Sequence, residues 1–120
     1  MIIGKKNWIL SKKIDLSEQF GTVEEAWIIL REPNTDQVMA LRELATLNER
    51  VMLAGVKDIM ASLIVDHNFY ADEATKLEPN AALDFVYDKP MAAVELVGKY
   101  LEWAFEPFRR AGQAADKQSM

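Results

Sequence analysis

From Pro90 to Phe108 apolar residues return every three or four positions, at Met91, Val94, Val97, Leu101, Phe105 and Phe108, while Glu95, Lys99, Glu102 and Glu106 share a separate wedge. At 3.6 residues per turn this spacing predicts a helix with one continuous apolar side. Pro90 suits its first turn, where the missing N–H costs nothing. Pro107 also lacks an N–H and crowds the carbonyl four residues back, so the regular helix is expected to kink or end near Glu106. Gly112 to Met120 has little to bury and is expected to be a frayed tail.

The same helix carries two apolar stripes. Val94, Val97, Gly98, Leu101, Phe105 and Phe108 form the one expected to face the core. Leu96, Tyr100 and Trp103, spaced by four and three, form a second that ends in residue types enriched at protein–protein hot spots. Two stripes need two partners. Either both are internal, the second being a hairpin or a short preceding helix, or Leu96, Tyr100 and Trp103 bind another subunit or a client protein.

Upstream, Ile14 to Phe20 alternates loosely and Ala26 to Leu30 is a compact apolar run holding Trp27, Ile28 and Ile29. With Gly21-Thr22 between them, they predict a β-hairpin or at least two short strands. Pro33 stops the second strand, and Asn34 with Gln37 three residues later forms a capping-box signal for a helix start. Val38, Leu41, Ala45, Met52, Val56, Ile59 and Leu63 then keep helical spacing from Thr35 to about Val65; so long a helix is unusual and Asn48 and Gly55 are weak helix formers, so a break near either is open, with a break or bend near Asn48 favoured. Asp66 to Pro79 has no period and reads as a connection, after which Asn80 could cap a short helix from Ala81 to Tyr87. The expected fold is α+β and mainly α. A short N-terminal β-hairpin would precede three to five helices in one domain, residues 1–111, followed by the tail 112–120.

Charge and chemistry narrow the function. A net charge of -5 lacks the excess of Lys and Arg that a nucleic-acid footprint needs. Lys5, Lys6, Lys12 and Lys13 make a basic arm that is read as solvated or as a contact to an acidic partner. The absence of cysteine excludes disulfides and thiolate sites and fits a reducing compartment. No stretch has the length of a spanning helix, and Met1 to Leu10 lacks the apolar region of a secretory signal, so no membrane partner is expected and the cytoplasm is the expected location.

Asp66-His67-Asn68-Phe69-Tyr70-Ala71-Asp72-Glu73 is the one place where acid/base or metal chemistry could gather. As a calcium loop it fails at Tyr70, Ala71 and Leu77, and one histidine beside carboxylates is short of a zinc ligand set. His67 is therefore expected to be a solvated loop residue. No serine sits in a nucleophile elbow and the glycines are scattered singly, so no phosphate loop is present. We expect no catalysis, no cofactor and no metal. An enzyme or small-ligand binder built on His67, Asp66 and Asp72 is the least favoured class.

Residues 24 to 44, Glu-Glu-Ala-Trp-Ile-Ile-Leu-Arg-Glu-Pro-Asn-Thr-Asp-Gln-Val-Met-Ala-Leu-Arg-Glu-Leu, resemble the opening segment of tail assembly chaperones of long-tailed bacteriophages. In that family an apolar strand ends in an Arg-Glu-Pro-Thr-like turn and leads into a helix. Here the turn is Arg31-Glu32-Pro33-Asn34-Thr35, with Asn34 inserted before the threonine. The resemblance implies a non-enzymatic protein of the bacterial host cytoplasm that holds the helical tape-measure protein soluble during tail assembly. The alternative expectation is a structural phage or prophage subunit, such as a minor tail, neck or tail-completion protein, that associates with itself.

Overall fold

The computed structural model describes residues 10–21 and 25–118, with the side chains of the last helix described as far as Pro107. Its elements run β1 (Ser11–Asp15), α1 (Ser17–Phe20), β2 (Trp27–Arg31), α2 (Thr35–Leu44), α3 (Glu49–Ala61), β3 (Ile64–His67), α4 (Pro79–Tyr87) and α5 (Pro90–Gln118). This is an α+β fold, mainly α.

The two N-terminal strands pair antiparallel from Ser11↔Arg31 to Asp15↔Trp27. Their connection is not a tight turn. Leu16 N–H donates to Ala26 O (2.7 Å), and the short helix α1 follows, closed by Gly21 at φ 60°. A left-handed φ of this kind is free for glycine and costly for a residue with a Cβ. Phe20 thus lies in a helical turn and not in a strand; Thr22 lies outside the described residues.

The capping box is present: Gln37 N–H donates to Asn34 Oδ1 (2.8 Å) and Asn34 N–H donates to Gln37 Oε1 (2.9 Å). The predicted long helix breaks at residues 45–48, and Asn48 caps α3 by accepting from Val51 N–H (3.0 Å). Gly55 lies where α3 meets α2, since a Cβ there would come within 2.4 Å of Leu44 Cδ2.

Three expectations need correction. Residues 64–67 leave the helix and become β3, antiparallel to β2, with Ile29↔Asp66 and Leu30↔Ile64 leaving Val65 as a bulge. The helical period ran on through this β-branched pair, but the unpaired edge of β2 offers it a ladder that sequence spacing does not reveal. Next, α4 starts at Pro79 with Glu78 as its N-cap, so Pro79 and not Asn80 marks the boundary. Proline suits this position because its N–H would be unpaired anyway. Finally, the helix does not end near Glu106; the backbone of α5 is helical through Pro107 to Gln118. Proline's own fixed φ is helical, so the local cost is the bond that Pro107 cannot give to Trp103 and the crowding of its ring against that carbonyl.

One apolar cluster unites the elements. It joins Ile14, Leu16, Ile28 and Leu30 of the sheet side to Leu41, Val56 and Met60 of α2 and α3, and to Leu83, Val86, Leu96, Val97 and Tyr100 of α4 and α5. Among the described residues no helix is long and apolar enough to cross a membrane.

Candidate functional site

The polar cluster around His67 is built into the fold. His67 is only 3% exposed, so the expected solvated loop histidine is instead a core residue. Phe69 N–H donates to its Nδ1 (3.0 Å), which leaves Nε2 to carry the proton and donate to Leu77 O (2.9 Å). Burial holds the imidazole pKa below its ordinary value, because the charged form would lose its hydration. Both nitrogens are thereby committed to backbone groups.

Its neighbours are engaged as well. Asn68 acts as a side-chain extension of the sheet, accepting from Trp27 N–H (2.8 Å) and donating to Glu25 O (2.5 Å). Asp66 bonds the Lys76 ammonium and accepts from His67 N–H (2.8 Å), and the Lys76 contact lowers its carboxyl pKa. Asp72 caps a turn by accepting from Ala74 and Thr75 N–H (2.9 Å each), which lowers its pKa in turn. Among the described residues no three His, Cys, Asp or Glu side chains gather as a metal site would require.

The second candidate is α5, and here the two stripes are exchanged. Leu96 and Tyr100 are fully buried, and the Tyr100 hydroxyl donates to Arg31 O (3.0 Å). Burial pushes the phenol pKa up. The internal partner foreseen for this stripe exists at these two residues, which are therefore not a docking surface on the folded chain. Trp103 alone of the three is partly exposed, its ring centroid 6.1 Å from that of Tyr100.

The stripe expected to be core turns outward in its first half. Met91 is 71% exposed and Val94 52%, and an added Cβ on Gly98 would meet nothing within 4 Å. Leu101 and Phe105 are partly covered, and among the described residues of that stripe only Val97 is buried. The reason is the alanines. Ala92, Leu96, Tyr100 and Ala104 form one buried ridge at spacing four, with Ala93 and Val97 beside it. Small side chains let α5 approach closely on this side, while weighing only the large apolar residues picks the opposite one.

No family model, no curated protein and no solved structure matches the chain.

Proposed function

We propose that this protein is a non-enzymatic protein-binding factor of the bacterial cytoplasm, resembling the phage tail assembly chaperones, that holds a tape-measure-like helical protein soluble. The observation that supports this reading is a row along α5, Met91, Val94, Gly98, Leu101 and Phe105, at alternating steps of three and four, exposed in its first half and partly covered at Leu101 and Phe105. That is the spacing with which one helix receives another, and the open space over Gly98 gives an incoming side chain somewhere to seat. One flank of the row carries Glu102 and a Glu95–Lys99 ion pair (3.0 Å). The chain from Glu25 to Leu44 runs as strand, Arg-Glu-Pro turn and capped helix, in keeping with the resemblance that motivates the reading.

The test is co-expression with the long helical protein encoded beside it, followed by size-exclusion chromatography with light scattering. A soluble complex is expected where the long protein alone precipitates, and Val94→Glu should abolish it while leaving the fold intact. Elution of the chain alone as a stable homo-oligomer would overturn the reading in favour of the structural subunit, with the same row closed on a second copy.

A further inference from the structure

Between β3 and α4, residues 69–77 form a small hairpin of their own. Leu77 N–H donates to Phe69 O (3.0 Å) and Ala71 N–H to Thr75 O (2.8 Å), Tyr70 pairs with Lys76 between them, and Asp72 closes the tip. Residues 70–76 are exposed, so only the two feet, Phe69 and Leu77, enter the body of the protein. His67 holds both feet at once, its Nδ1 accepting from Phe69 N–H on one leg and its Nε2 donating to Leu77 O on the other. None of the hairpin's internal bonds runs through the imidazole.

Two further ties bind the hairpin to its surroundings. The Lys76–Asp66 ion pair is exposed and makes a weak tether. The Phe69 ring lies edge-on to Phe20 (centroids 5.7 Å apart) and tilted to Phe85 (5.8 Å). Asn68, just before the hairpin, is fixed separately to Glu25 and Trp27, which makes it a natural pivot. A proton on Nδ1 would turn that atom from an acceptor into a donor facing the Phe69 N–H, and would set a cation at a buried position. Of the charges that act on the ring, Asp66 of β3 favours the cation and Lys76 of the hairpin opposes it. From β2, Ile28 stands opposite His67; on α4, Glu78 and Asp88 are exposed and Asp84 pairs with Lys57. Both ring nitrogens meet backbone groups, so no carboxylate is bonded to the imidazole to balance its charge.

We propose that the 69–77 hairpin is an acid-released flap: protonation of His67 frees both feet, and the hairpin swings out about Asn68 with its own bonds kept, baring the faces of Phe20 and Phe85 that Phe69 covers. Burial makes the closed state bind the proton less readily than the open one. The closed flap therefore keeps its full advantage above the ordinary imidazole pKa of 6.5 and loses it as the pH falls towards the lowered value. The opening is local and leaves the sheet and α5 in place. It stands apart from the chaperone reading, because it concerns the chain by itself.

Amide hydrogen exchange on the full chain, corrected for its intrinsic pH dependence and followed from about pH 7.5 to about pH 4.5, tests the flap. Below about pH 6.5 the protection of Phe69 N–H should fall by up to about tenfold per pH unit until the ring has titrated, while that of Leu30 and Leu96 N–H holds. In His67→Gln, which takes up no proton at this position, Phe69 protection should be level with pH. Phe69 protection that stays level across this range in the native chain would overturn the proposal. So would a fall shared by Leu30 and Leu96, since the whole fold would then be opening, or a fall that persists in His67→Gln, since another group would then be the trigger.

Discussion

The two ends of the sheet are held by different forces. At the α5 end, Ile14, Ile28 and Leu30 share a core with Leu96 and Tyr100, and most of the stabilisation is apolar area removed from water. At the β3 end, Asn68 and His67 fasten the chain through hydrogen bonds to Glu25, Trp27, Phe69 and Leu77. The first attachment tolerates imperfect direction and is indifferent to proton concentration. The second depends on geometry and protonation.

The largest effect is expected where the apolar end is broken. Leu96→Ala should cost roughly 2–5 kcal/mol, read by urea unfolding, because it opens a cavity in the shared core. A cost under about 1 kcal/mol would mean that α5 is not what secures the sheet. Asn68→Ala should cost less, about 1–3 kcal/mol, as the Trp27 N–H and Glu25 carbonyl lose their partner. Tyr100→Phe, which keeps the ring and deletes only the bond to Arg31 O, should cost about 0.5–1.5 kcal/mol. Val94→Ser on the exposed half of the α5 row should change stability by no more than about 0.5 kcal/mol while weakening the client capture proposed above.

Acid separates the two ends most directly. His67 binds its proton less readily folded than unfolded, its pKa lying below 6.5 in the native state. Below pH 6.5 the unfolded chain therefore takes up more protons, and the stability that is fully present above this value falls as the pH drops through the window between the two pKa values. His67→Gln should erase that step in a pH series of melting temperatures, and Leu96→Ala should lower every point without changing its shape.

What could be read in the sequence was set by local signals. Asn34 with Gln37, the break at Asn48 and the start at Pro90 each depend on a cap or a proline within one turn, and the structure has all three. What could not be read was set at a distance. Ile64-Val65 keeps a helical period yet pairs with β2 more than thirty residues earlier in the chain. His67 looked solvated because its burial depends on Leu77 and Phe69 folding back over it. The orientation of α5 was misjudged because Ala92, Ala93 and Ala104 contribute little apolar weight and much proximity.

The strand order β1-β2-β3 also leaves β1 at a sheet edge, and its central residues are Lys12 and Lys13. Two such edges approaching each other would bring ammonium groups together and strip their hydration before any ladder could form. This guards the β1 edge against strand-to-strand polymerisation, so whatever copies of the chain do meet are steered away from pairing through that strand.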